Sequence, residues 1–223
     1  MELLLRILSY AGGHGGSWRR KVANMIELKS RLNLSHHLYQ EACTITKDLL
    51  NAAPTDQIAT VAAVIILAHT SLEAYLNEFL NLKLSLSRAK KYAVLRELIR
   101  ARLRFREKWV VVMTVLSGGS FDKGKEPFQS LILLTDLRNE IVHYSPEFLP
   151  IDKLPGKRIP EIAKMMPHPF RKGSYSWPGR ILIPECARWA CKTAHNNARM
   201  LYEAVDKKDR TLCLGSPWEP PPT

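Results

Sequence analysis

The chain has 223 residues, 46% of them hydrophobic, and a formal charge of +12 from 33 Lys and Arg against 21 Asp and Glu. That length buries one sizeable core, so one domain with extensions is expected. The excess of cations favours a polyanionic partner, nucleic acid ahead of a membrane surface.

The first eight residues, Met1 to Leu8, form an apolar run broken by Glu2 and Arg6. It is too short and too charged for a secretory leader, and far too short to span a bilayer. A loosely held tail is expected there. Glycines 12, 13, 15 and 16 surround His14 without a following Lys-Ser/Thr, so they do not read as a phosphate-cradling loop. Val22, Met25 and Ile26 suggest a short helix. A second helix is expected from about Leu34 to Leu50, with Leu38, Cys43, Ile45, Leu49 and Leu50 facing inward. His36 and His37 diverge on such a helix, which makes them a poor metal pair.

Pro54-Thr55-Asp56 suits a helix start. The longest apolar segment follows, Ile58 to Leu86. Its centre, Val61 to Ala68, is apolar on every side and reads as the middle of a helical bundle. His69, Glu73 and Glu78 interrupt it at once, so the segment reads as shorter than a membrane span. Glu73 and Asn77 stand one turn apart on one face. A carboxylate and an amide in such surroundings need partners, and Arg138 is the candidate for Glu73.

Ser87 to Phe105 reads as a basic amphipathic helix, the densest cation cluster in the chain. Arg100 and Arg104 on it suit phosphate contact. Trp109 to Met113 is locally strand-like, but no second strand lies nearby, so a helix or an extended link is expected. Ser117-Gly118-Gly119-Ser120 and Lys123-Gly124-Lys125 make a loop.

A helix from Phe128 then carries Leu133, Leu137, Ile141 and Tyr144 as one apolar stripe. Asn139 and His143 are four apart and share a different face, with Arg138 beside it. Pro146 stops the helix. A cation, an amide and an imidazole are thereby gathered on the last turn before a break.

Prolines 150, 155, 160, 167, 169 and 178 rule out long regular elements as far as Ile183, apart from a short turn around Glu161 to Met166. Lys157, Arg158, Arg171 and Lys172 are interleaved there with Phe170, Tyr175 and Trp177, a mixture suited to single-stranded bases and phosphates. Pro184 opens a last helix to about Lys207, with Ala187, Ala190, Cys191, Ala194, Ala198, Leu201 and Val205 as its buried stripe. The tail ending in Trp218-Glu219-Pro220-Pro221-Pro222 is expected to be disordered. The cysteines at 43, 186, 191 and 213 show no CxxC pair. They read as reduced thiols of a cytoplasmic protein and not as a metal site or a disulfide frame.

Arg138-Asn139 followed by His143 resembles the Arg-x4-His motif of the HEPN superfamily (higher eukaryotes and prokaryotes nucleotide-binding domain). The helix around Ala68 to Asn77 is similar to that family's first core helix, and the alanine-rich helix from Glu185 to its last. The resemblance covers roughly residues 56 to 206. It implies an all-α, up-and-down helical bundle of HEPN type. In this chain the bundle, residues 51–208, would carry an N-terminal tail and helical extension, 1–50, an irregular Pro-rich basic insert, and a disordered tail, 209–223. It also implies a homodimer and a metal-independent endoribonuclease with no cofactor, of the kind used as toxins or antiviral effectors. Arg138, Asn139 and His143 become the catalytic residues, with Glu73, Asn77 and Tyr144 in support. RNA is the expected partner, an antitoxin or regulatory protein a second, and a membrane is not expected.

Those residue types suit the chemistry. RNA supplies its own nucleophile, the 2′-hydroxyl. The enzyme needs a proton acceptor for it, a donor for the departing 5′-oxygen, and positive charge for the phosphorane. An imidazole exchanges its proton near neutral pH, so His143 suits either proton role. The Arg138 fork can hold two phosphate oxygens. Two copies of His143 across a two-fold axis would divide the acid and base roles. The competing reading is an inactive helical module, in which Arg138 and His143 only complement the helix dipole and the basic surface binds RNA or protein without cutting.

Overall fold

The computed structural model describes residues 34–52, 57–86, 95, 103–144, 160, 162, 164, 177–205, 207 and 218–222. The described chain is all-α, with no strand among the described residues. Its helices are α1 (Leu34–Asn51), α2 (Ile58–Leu86), α3 (Phe105–Leu116), α4 (Phe128–Val142), α5 (Trp177–Ile181) and α6 (Pro184–Ala204).

Helix α2 is the hub, packed against α1, α6 and α4. Its buried positions, Val61, Val64, Ile65, Ala68, Leu72, Tyr75, Leu76, Phe79 and Leu80, follow the three-and-four spacing of one broad face. It is thus not buried all round: Ala63 is exposed, and Ile66 and Leu67 are half-buried. By length and composition alone, Ile58–Asn81 is long and apolar enough to cross a membrane. That corrects the expectation of a segment too short to do so. His69 and the acids interrupt the composition without ending the helix.

Helix α1 belongs to the core and is no appendage. Tyr39, Ala42 and Leu49 are buried on it, together with Ser35 and Thr46. Of the five residues expected inward, only Leu49 is fully buried; Leu38, Cys43, Ile45 and Leu50 are half-buried. The buried face instead runs through Ser35, Tyr39, Ala42, Thr46 and Leu49. Glu78 fixes the start of α1. Its carboxylate accepts from the Ser35 amide at 3.1 Å and the Ser35 hydroxyl at 2.6 Å, placing negative charge where orphan helix amides need it.

The strand-like stretch at 109–113 is helical. Trp109, Val112 and Met113 bury one face of α3, and that spacing outweighs the β preference of its valines. Most of the basic helix expected from Ser87 to Phe105 lies outside the described residues. Arg104 is extended, with φ −68° and ψ 157°, and Phe105 opens α3. The Glu107 carboxylate accepts from the Arg104 amide at 2.8 Å, which ties down that helix start. Helix α3 ends at Gly118 and Gly119, both at positive φ, and Gly119 donates to the Thr114 carbonyl at 2.8 Å.

Helix α6 buries every residue of its expected stripe, from Ala187 to Val205. Pro184 sits where a helix lacks need of the amide hydrogen. Asn197 couples α6 to the start of α4 by donating to the Pro127 carbonyl at 3.0 Å. The C-terminal residues depart from the expected disorder. Trp218 is 5% exposed, stacked on Tyr39 with ring centres 4.4 Å apart and tilted against Tyr75 at 5.1 Å. One aromatic side chain recovers enough buried surface to hold a proline-rich tail that composition alone reads as unfolded.

Candidate functional site

Helix α4 ends at Val142, four residues before Pro146, with His143 as its C-cap. The His143 amide still donates to the Asn139 carbonyl at 2.9 Å. Asn139 and His143 are both exposed, as their four-residue spacing on one face requires. Two large apolar side chains flank the imidazole in solvent: Val142 is 45% exposed and Tyr144 49%. Tyr144 therefore does not continue the buried stripe. It leaves the helix and lies against Trp177, ring centres 6.1 Å apart.

Arg138 is less exposed than its neighbour Asn139. It is half-buried, and its Nη1 donates to the Asn139 Oδ1 at 3.1 Å, so the two residues are held as one unit. Its Nε is fully buried and has no hydrogen-bond partner. Inside this guanidinium lies His69 of α2, only 3% exposed. Both His69 ring nitrogens lack a partner, and the ring meets the edge of Phe105 at 4.9 Å. Burial, then the Arg138 charge, then the Arg106 charge push the His69 pKa down to about 4, so the imidazole is neutral. Arg106 is itself paired with Asp136 and donates to the Ile132 carbonyl at 3.3 Å. Thus α2, α3 and α4 each contribute one basic side chain to a single part-buried cluster.

The expected Glu73–Arg138 pair does not form. Glu73 and Asn77 are half-buried, and neither is bonded to Arg138. The reason is helical phase: His69, one turn earlier on α2, occupies the position beneath Arg138. Sequence reasoning missed His69, Arg106 and Asp136. His69 was visible in principle, since it precedes Glu73 by four residues. Arg106 and Asp136 are 30 residues apart, and no local pattern links them.

Of the expected RNA-contacting cations, Arg104 is exposed at the start of α3. Arg100, Lys157, Arg158, Arg171 and Lys172 lie outside the described residues. Among the described residues no group of three His, Cys, Asp or Glu side chains could hold a metal ion. The His36 and His37 rings stand 6.5 Å apart and are tilted by 57°, the divergence expected of adjacent helical residues.

Chemically, the end of α4 presents a solvent-facing imidazole and amide, backed by a guanidinium whose charge is only partly screened. No family model matches the chain, and comparison with curated proteins and with solved structures gives no match.

Proposed function

We propose that the chain is a metal-independent endoribonuclease of HEPN type, acting in the cytoplasm on RNA and working as a homodimer. The observation that carries this reading is the joint presentation of Asn139, His143, Val142 and Tyr144 at the end of α4, with Arg138 directly behind them. His143 takes the 2′-hydroxyl proton, and its counterpart in a second copy protonates the departing 5′-oxygen. Arg138 holds the phosphate, and the Asn139 amide fixes the guanidinium in register. Tyr144 offers a ring on which a neighbouring base can stack. The exposed apolar pair beside His143 suits contact with that base or with the second copy. Control by an antitoxin or another regulatory protein belongs to the same proposal, as does the up-and-down bundle topology of the family.

The test is labelled RNA incubated with the full-length protein in EDTA, beside His143→Ala and Arg138→Ala. Wild type should leave a 2′,3′-cyclic phosphate and a 5′-hydroxyl. Each variant should lose about 100-fold or more of the rate, the usual weight of one general acid–base group. A second reading rests on the C-cap position of His143, where a cation is favourable without any RNA. Equal RNA binding by all three proteins with no cutting by any of them establishes that inactive module and removes the nuclease.

A further inference from the structure

A second cluster of reactive groups lies between α1 and α6, independent of the motif on α4. Cys43 and Cys191 face one another there. Cys191 Sγ is 3.4 Å from the Thr46 hydroxyl, one turn beyond Cys43 on α1. Helices α1 and α6 pack against one another here, and the Cys43 thiol interacts electrostatically with the Cys191 thiol and with the Tyr39 hydroxyl. Both cysteines are free. Their surroundings differ sharply. Cys191 is fully buried, whereas Cys43 is half-buried and lines a cavity of about 520 Å³ together with His37, Tyr39, Thr44 and the tail residues Glu219 and Pro220. Cys43 borders this cavity, whereas Cys191 does not line it.

The contact also divides the chemistry. The neighbouring Cys191 thiol lowers the Cys43 pKa, burial opposes this, and the Tyr39 hydroxyl lowers it again. The same contact with Cys43, followed by burial, raises the Cys191 pKa. Cys43 is therefore the first of the two to become a thiolate, the form that attacks. Cys186 is the natural comparison: it is wholly buried, and burial pushes it up to about 12.

We propose that Cys43 and Cys191 are a peroxide-oxidised thiol pair, Cys43 the attacking and Cys191 the resolving residue. The Cys43 thiolate attacks one oxygen of hydrogen peroxide, the O–O bond breaks, and hydroxide leaves to become water. Cys43 is then a sulfenic acid. The Cys191 sulfur attacks the Cys43 sulfur, the S–OH bond breaks, and the hydroxyl leaves as a second water with the Cys191 proton. Two thiols lose two electrons in all and one peroxide gains them. The product disulfide joins α1 to α6 beneath the docked tail.

The experiment uses the reduced, full-length protein and dilute hydrogen peroxide, followed by alkylation of remaining thiols and peptide mapping. The expected result is a linked pair of peptides containing Cys43 and Cys191, a mass lower by two hydrogens, and Cys186 still present as a thiol. In Cys191→Ser, which leaves the attacking sulfur in place, dimedone should trap a sulfenic acid at Cys43. Wild-type mapping needs no variant, so a folding defect in Cys191→Ser cannot mask the answer. Recovery of Cys43 and Cys191 as separate alkylated peptides overturns the proposal. So does oxidation of Cys186 or Cys213 at the same rate as the pair.

Discussion

Two polar clusters are set into the same helical core, and they are treated differently. Around Tyr39 the polar atoms find partners. The Tyr39 hydroxyl donates to the Glu219 carbonyl at 3.0 Å, His195 Nδ1 meets that same carbonyl at 3.1 Å, and the Thr46 hydroxyl donates to the Ala42 carbonyl at 2.7 Å. Around Arg138 they do not: both nitrogens of His69, Nε1 of Trp109 and Nε of Arg138 are buried without partners. A buried polar group without a hydrogen bond costs about 1–3 kcal/mol, and native cores retain few of them. The first cluster therefore fastens the tail and α1 to the core. The second keeps the Nε of a half-buried guanidinium and both nitrogens of a buried imidazole without partners, at the expense of stability.

The largest expected stability effect lies in the satisfied cluster. Trp218→Ala removes a ring stacked on Tyr39 and should cost about 3–5 kcal/mol, read as a lower urea midpoint. A loss below about 1 kcal/mol would show that the tail is not an anchor.

The unsatisfied cluster predicts a pH dependence. His69 has its pKa lowered in the folded chain, from 6.5 to about 4. The unfolded chain therefore takes up the proton first as pH falls. The stability of the neutral folded form is complete above 6.5 and declines from there toward 4. At about 1.4 kcal/mol per pKa unit the decline is about 3 kcal/mol. His69→Leu should remove that slope, and at neutral pH should be neutral or stabilising because it deletes two unpartnered nitrogens. Urea titrations of both proteins at several pH values read the difference; identical slopes would refute the account of His69.

Asn197 tests the boundary between the clusters. It donates to the Pro127 and Thr193 carbonyls at 3.0 and 2.9 Å. Asn197→Ala should cost about 1–2 kcal/mol by the same denaturation measurement. Tyr144→Ala, on an exposed ring, should change stability by less than about 0.5 kcal/mol while weakening RNA binding. Equal RNA affinity in that variant would remove Tyr144 from the site.

The two clusters also differ in how far the sequence reveals them. Helix α6 was legible residue by residue, because Ala187, Ala190, Ala194 and Ala198 repeat at helical spacing and each one is buried. Helix α2 was legible in extent, since nothing in Ile58–Leu86 breaks a helix. Helix α1 was legible in extent and misread in phase: Leu38 and Ile45 look like core, yet Ser35, Ala42 and Thr46 take the inner face. Arg138, Asn139 and His143 were legible as a group because four-residue spacing on one helix is a local property. The imidazole beneath them was not, since which residue of α2 faces Arg138 depends on the rotation of one helix against another.

By itself, then, the sequence determined the helices that carry strong periodicity and the gathering of a guanidinium, an amide and an imidazole at one helix end. Tertiary structure alone decided that His69 lies under Arg138, that Arg106 pairs with Asp136, that Cys43 meets Cys191, and that Trp218 is buried. The physical reason is one of range. Backbone hydrogen bonding and side-chain phase act over one or two turns and are written in neighbouring residues. Burial, desolvation and the meeting of thiols or charges depend on which helix faces approach, and that is set by the packing of the whole core.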